Sequence, residues 1–170
     1  MNLAHLDNLP FQDNYNFHKA WVKCLVENEF THFLTFQWCC PINLNQLESD
    51  MKYLHMRVDR YLHGPRFNRF DGRTQAIFFA EGEEYFTLHC HSAWKIPDRD
   101  KLKFEGLFLP NQHGPLWREI APAGTYDCDE IRDQHKVLSY ITKENDVWDV
   151  EEKRILFSQD FIPSGRKVAP

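Results

Sequence analysis

Apolar residues recur along the chain with two periods, and these periods predict its helices and strands. From Asn45 to His63 the apolar positions follow the spacing of an amphipathic helix, and Gly64 with Pro65 supplies a stop signal. A helical spacing also covers 14–27 and, near the other end, Asp127 to Glu144. The pattern therefore predicts three helices.

Strands are predicted where aromatic and β-branched residues cluster or alternate with polar ones. Gly82, Glu83 and Glu84 separate two such segments and predict a β-hairpin. The resulting order of strands and helices is typical of an α+β sandwich, with helices on one face of an antiparallel sheet. The predicted strands are 31–38, 75–81, 85–94, 102–109, 115–120 and 154–157.

The size and composition of the chain favour one folded domain. It has 170 residues, of which 42% are hydrophobic and 15% aromatic, and this is enough to bury a substantial core. We expect the domain to cover 1–170, with a core at about 30–160 and tails at 1–13 and 163–170. No apolar run approaches the length of a membrane span and no export signal begins the chain, so we expect an intracellular protein without a membrane partner.

Charge and cysteine content narrow the possible functions. The net charge is −5, which argues against a protein that coats DNA over its whole surface. Five cysteines without a Cys-x-x-Cys pair disfavour a disulfide framework or a structural zinc ribbon. No Gly-rich loop ends in Gly-Lys-Ser/Thr, which disfavours ATP hydrolysis at such a loop.

One segment is basic within this acidic chain and is our candidate for binding DNA. The segment 52–73 carries six basic residues and two acidic ones, interleaved with aromatic residues that could stack on unpaired bases. The alternative interpretation is an ordinary solvated helix face and loop. The candidate DNA-binding residues are Lys52, Arg57, Arg60, Arg66, Arg69 and Arg73.

A pair of histidines in the predicted hairpin is a candidate metal site. His89 and His91 are alternate residues of a strand, so both imidazoles should point to one face and could bind one metal ion or phosphate. Glu81, Glu83 and Glu84 offer carboxylates, and two histidines with one carboxylate leave open positions on a divalent ion. Simple hairpin counting places Glu81 opposite Tyr85, away from His89. The alternative is two half-exposed histidines beside a solvated turn.

A second candidate group lies in the last predicted helix. Tyr140 and Lys143 are three residues apart and should share a helix face, opposite the apolar stripe of Leu138 and Ile141. The alternative is a surface tyrosine with a lysine neighbour.

Taken in order, these motifs resemble those of the HUH endonucleases, and specifically of the single-tyrosine initiators of rolling-circle replication. The segment 33–38 is similar to the first motif of that family, 88–91 to the His-hydrophobe-His motif, and 139–144 to the Tyr-x-x-Lys motif. The resemblance implies a ferredoxin-like (RRM-like) antiparallel sheet whose open face carries the catalytic site. It also implies Mn²⁺ or Mg²⁺ as cofactor, held by His89, His91 and Glu81.

The resemblance further implies an enzyme that nicks single-stranded DNA at a replication origin. Tyr140 would attack a phosphodiester and form a 5′-phosphotyrosyl link, while Lys143 would assist ionisation of the phenol or stabilise the scissile phosphate. The expected partners are origin DNA and a host replication helicase, in the cytoplasm of a bacterial or archaeal host rather than in a nucleus. Three alternatives remain open: a transposase or relaxase with the same chemistry, a non-catalytic single-strand-binding module, and a structural metal site of His89, His91 and a cysteine.

Overall fold

The computed structural model describes residues 22–23, 26–65, 67, 73–108, 116–141 and 154–161. Its strands are β1 His32–Gln37, β2 Gln75–Glu81, β3 His89–Lys95, β4 Thr125–Glu130 and β5 Ile155–Phe157. They form one antiparallel sheet in the order β4-β1-β3-β2-β5. The predicted α+β class with an open antiparallel sheet is confirmed. The helices are α1 Leu44–His63, α2 Lys101–Gly106, α3 Trp117–Ile120 and α4 Gln134–Ile141.

Helix α1 forms where the sequence predicts it, because a capping residue, a stop signal and an apolar stripe all mark the same segment. The side chain of Asn43 accepts a hydrogen bond from the Gln46 N–H at 2.8 Å and caps the first turn. Gly64 has φ 78°, a left-handed backbone that ends the helix without a Cβ clash. The buried apolar side chains between these ends are Leu47, Met51, Leu54, Val58 and Leu62.

The main core lies between α1 and one face of the sheet, which we call the α1 face. Successive residues of a strand point to opposite faces, so every second residue of β1, β2 and β3 enters this core. Helices α2 and α3 close it through Phe104 and Trp117. The strand residues that contribute most are Leu34, Phe36, Phe78, Cys90 and Trp94.

The opposite face, which we call the site face, is apolar at one end and polar at the other. Leu138 and Ile141 of α4 pack on the apolar end, so helices lie on both faces rather than on one as expected. The apolar strand residues beneath α4 are Phe33, Ile77, Phe79, Ala93, Ile155 and Phe157.

Several predicted elements differ from the structure. Strands are predicted at 102–109 and 115–120, but the described residues there form helices, α2 over 101–106 and α3 over 117–120. Strand β4 was not predicted, and α4 begins at Gln134 rather than at Asp127 because the Asp133 carboxylate accepts the Lys136 N–H at 3.0 Å and caps the helix there. Strand β3 begins at His89 rather than at Tyr85.

The remaining predicted segments lie mostly outside the described residues. Of the helix predicted at 14–27, residues 22, 23, 26 and 27 are described and helical. The predicted tails at 1–13 and 163–170 are outside the described ranges. None of the helices that the structure describes is both long enough and apolar enough to span a membrane.

Candidate metal centre

The pairing of β2 with β3 brings Glu81 beside the two histidines. Glu81 is the direct cross-strand partner of His89, and His91 lies two residues further along the same face. The hairpin count that placed Glu81 opposite Tyr85 is wrong, because the connection runs over seven residues, 82–88, instead of three. The longer connection thus places all three side chains at the polar end of the site face.

The three side chains converge on one point. A carboxylate oxygen of Glu81 lies 3.1 Å from His91 Nε2 and 3.7 Å from His89 Nε2. One donor atom from each residue lies within 4.8 Å of the others. Donors about 2.1 Å from a shared ion are roughly 3 to 3.5 Å apart, so the spacing is close to that of a coordination shell. These residues could hold a divalent metal ion, as predicted.

The hydrogen bonds of the imidazoles orient both Nε2 atoms toward that carboxylate. His91 Nδ1 lies 2.9 Å from the Thr35 hydroxyl, and His89 Nδ1 lies 2.9 Å from the Thr87 carbonyl oxygen. A carbonyl oxygen only accepts, so His89 donates from Nδ1. Because Nδ1 of each imidazole is engaged in a hydrogen bond, Nε2 is the nitrogen of each ring that faces the carboxylate. This is the arrangement of metal-ligating histidines with their supporting hydrogen bonds.

The ring of Tyr140 is next to this group. Its centroid lies 5.6 Å from that of His91, at an interplanar angle of 68°. Tyr140 is 49% exposed, whereas its helix neighbours Leu138 and Ile141 are buried against the sheet. Helix α4 therefore holds the phenol at the boundary between the apolar and polar ends of the site face. Lys143 lies outside the described residues.

The ring of His91 is fixed by its aromatic neighbours as well as by Thr35. It stacks on Phe33 at 5.5 Å and 26°, and it meets the His89 ring edge-on at 5.0 Å. The residue is only 4% exposed. Since the ring can hardly rotate, the direction of its Nε2 is set before any ligand binds.

The predicted DNA-binding residues that the structure describes are not gathered around this centre. Helix α1 carries three of them and packs on the opposite face of the sheet. Lys52 pairs with Glu48 at 2.6 Å and Arg57 with Glu119 at 2.6 Å, while Arg60 is exposed. Arg66 and Arg69 lie outside the described residues.

Arg73 has a structural role that the prediction of DNA binding did not anticipate. Its Nε lies 2.8 Å from a carboxylate oxygen of Asp59, which is fully buried. A second nitrogen of the guanidinium lies 3.2 Å from His55 Nδ1, and His55 Nε2 lies 2.8 Å from the Thr74 carbonyl. Arg73 therefore neutralises a buried carboxylate, and burial lowers the pKa of His55 although Asp59 opposes that shift.

Among the described residues, no cysteine belongs to the metal-binding group. Cys90 points to the α1 face and is fully buried in the main core, and burial raises the pKa of its thiol. Cys128 of β4 also faces away from the site, and burial raises the pKa of its thiol to about 12. The alternative of a structural site made from His89, His91 and a cysteine is thus wrong for the described part of the chain.

Three features at or near the centre were not predicted from the sequence. Thr35, the cross-strand partner of His91, lies within the segment 33–38 that resembles the first family motif, and this placement was the available signal. Arg154 donates from Nη1 to the Gly82 carbonyl at 3.0 Å, one residue after Glu81. Phe86 is 79% exposed in the connection that leads to His89.

Comparison of the chain with protein-family models, with curated proteins and with solved structures found no match.

Proposed function

We propose that this protein is a metal-dependent endonuclease and strand transferase that nicks single-stranded DNA through Tyr140. The observation that supports this most strongly is the contact of the Tyr140 ring with His91, a member of the Glu81–His89–His91 group. A phenol at 49% exposure can reach a phosphate that also touches the metal-binding group. The proposed role is initiation of rolling-circle replication at an origin, in the cytoplasm of a bacterial or archaeal host with a host helicase.

The reaction exchanges one phosphoester for another. The phenol oxygen of Tyr140 attacks the phosphorus, its proton passes to solvent or to a neighbouring base, and the bond to the 3′ oxygen breaks. The leaving 3′ oxygen takes up a proton. The products are a 5′-phosphotyrosyl link and a free 3′ hydroxyl, and attack by a 3′ hydroxyl on the link reseals a strand without ATP.

The proposed ion is Mn²⁺ or Mg²⁺, as the resemblance to the HUH endonucleases implies. The carboxylate suits both ions, and the two imidazoles would also accept other transition metals. When bound, the ion would polarise a non-bridging phosphate oxygen and stabilise the charge that develops in the transition state. Glu81 and the two Nε2 atoms would hold it, while Thr35 and the Thr87 carbonyl fix the imidazoles. The fold thereby supplies a preorganised site rather than one assembled by the substrate.

The covalent link is the product that tests this proposal. The full-length protein is incubated with single-stranded oligonucleotides from its own replicon and Mn²⁺, and a denaturing gel is examined for a protein–DNA species. We expect the species in wild type, its loss in Tyr140→Phe, and a large decrease in His89→Ala and His91→Ala. Tyr61→Phe is the matched control, because Tyr61 is an exposed tyrosine of α1 on the far face.

The variants also separate the remaining alternatives. Binding of the oligonucleotide without any link would contradict the nuclease and favour the single-strand-binding module. A link that forms on a transposon end or a transfer origin and not on a replication origin would favour the transposase or relaxase type of enzyme. A link that persists in Tyr140→Phe would overturn the assignment of the nucleophile.

A further inference from the structure

The connection between β2 and β3, residues 82–88, carries two exposed aromatic side chains, Tyr85 and Phe86, which we call the aromatic tip. Tyr85 is 57% exposed and Phe86 79% exposed. Exposed apolar side chains are candidates for ligand contact where they adjoin one another beside a site, whereas single ones are common on protein surfaces.

The aromatic tip is held rigidly although its side chains are exposed. The Tyr85 N–H donates to the Ile42 carbonyl at 2.8 Å, and Asn43 Nδ2 donates to the Tyr85 hydroxyl at 3.2 Å. The Leu44 N–H donates to the Glu84 carboxylate at 3.3 Å. These contacts fasten the connection to the start of α1 and keep Tyr85 at φ 64°, a conformation that few non-glycine residues adopt.

The same connection is joined directly to the metal-binding group. Phe86 precedes Thr87, whose carbonyl oxygen accepts the Nδ1–H of His89 at 2.9 Å. Gly82 at the other end follows Glu81 and packs so closely on Thr87 that a Cβ there would lie 2.5 Å from its carbonyl oxygen. The aromatic tip therefore has a fixed position relative to the ion-binding side chains.

We propose that Phe86, supported by Tyr85, is a stacking platform for an unpaired base of the strand whose phosphate reaches the metal-binding group. This inference rests on the proposed function. An aromatic ring stacks on any base, since every base has a π face, and a duplex offers no unpaired base to it. The tip would position the strand while the phosphates are held elsewhere.

The test measures oligonucleotide binding without nicking. An oligothymidylate of about 20 nucleotides carrying a fluorophore is titrated with the full-length protein in a chelator, and anisotropy reports the dissociation constant. We expect Phe86→Ala to weaken binding between about fivefold and about a hundredfold. Phe86→Trp should retain the wild-type affinity, and a duplex probe should show no difference between the variants.

Leu102→Ala is the matched control, since Leu102 is an 84% exposed apolar residue of α2 that lies outside the tip. Thermal unfolding of each variant checks that the fold is retained. Equal affinities of wild type and Phe86→Ala would overturn the inference even when the covalent link forms. If Phe86→Ala lowers the affinity for DNA but wild type forms no covalent link, the stacking platform is supported and the proposed nuclease activity is contradicted. A change in self-association or vesicle binding instead of DNA affinity would also overturn the inference.

Discussion

At the scale of single residues, Thr35 decides which nitrogen of His91 is available to a metal ion. Its hydroxyl lies 2.9 Å from Nδ1, and the other nitrogen faces Glu81. Thr35→Val keeps the shape of the side chain and removes this contact. We expect the dissociation constant for Mn²⁺, measured by calorimetry, to rise about 10- to 100-fold.

Thr125→Val is the control for this substitution, because Thr125 is an exposed threonine of β4 on the same face, and its hydroxyl contacts Gln37 rather than a histidine. Its Mn²⁺ affinity should equal that of wild type. An unchanged affinity in Thr35→Val would show that the hydrogen bond does not orient His91 for metal binding.

The buried His55 makes the stability of the fold depend on pH. Burial lowers its pKa below the ordinary 6.5, so the unfolded chain binds a proton more readily than the folded chain does. The stabilisation is therefore complete above about pH 6.5 and is lost as the pH falls toward the lower pKa of the folded state. Asp59, Arg73, Thr74 and His63 are the polar groups that face it.

We expect His55→Gln to flatten this pH dependence, because glutamine can still donate to the Thr74 carbonyl but does not titrate. The free energy of unfolding is measured in urea at about pH 7.5 and about pH 5.5. Wild type should lose more stability between these values than the variant does. His135→Gln, at an exposed position of α4, should behave like wild type. An equal loss in all three proteins would contradict the role of His55.

At the scale of elements, Gly82 connects the stability of the hairpin to the metal site. Its φ of 95° disfavours any other residue, and a Cβ would meet the Thr87 carbonyl at 2.5 Å. We expect Gly82→Ala to destabilise the fold by about 1 to 3 kcal/mol and to weaken Mn²⁺ binding, because Thr87 would shift away from His89. Thermal unfolding and Mn²⁺ calorimetry measure the two effects.

Gly64→Ala provides the comparison for Gly82→Ala. Gly64 also has a positive φ, but no atom lies within 4 Å of a Cβ built there, and it ends α1 rather than the hairpin. This variant should lose stability and retain wild-type Mn²⁺ affinity. The explanation fails if the two glycine variants weaken Mn²⁺ binding equally.

Arg73 joins the start of β2 to α1 through the buried Asp59. Arg73→Gln would leave the Asp59 carboxylate buried without its cation, and we expect a loss of about 3 kcal/mol in the free energy of unfolding. Arg60→Gln, an exposed position of the same helix, should change stability by no more than about 0.5 kcal/mol. A stable Arg73→Gln protein with lowered DNA affinity would contradict the structural role of Arg73 and support its predicted role in DNA binding.

The differences between predicted and observed elements have identifiable causes. Strand β4 presents Thr125, Asp127 and Asp129 on the exposed site face, so its alternation contains too few apolar residues to predict a strand. The apolar spacing at 102–109 fits a short helix as well as a strand. The strand alternation did predict that His89 and His91 share a face, but the partner of His89 depended on a turn whose length no local pattern specifies.

At the scale of the whole molecule, the main core and the proposed catalytic site lie on opposite faces of the sheet. The α1 face holds the main core and the exposed basic residues of α1, and the site face holds the metal-binding group, Tyr140 and the carboxylates of β4. The net charge of −5 and the acidic site face favour binding of a divalent cation over unassisted binding of phosphate. This division could not be predicted from the basic segment 52–73, because composition does not indicate which face a helix covers.

The central claim is that the Tyr140 hydroxyl becomes linked to DNA, and peptide mapping tests it most directly. Wild-type protein is reacted with a single-stranded origin oligonucleotide and Mn²⁺, digested with nuclease and trypsin, and analysed by tandem mass spectrometry. The account predicts a nucleotide on the tryptic peptide 137–143, attached at Tyr140, out of six tyrosines in the chain. A nucleotide on any other residue, or a reaction that cleaves DNA and leaves every peptide unmodified, would contradict it.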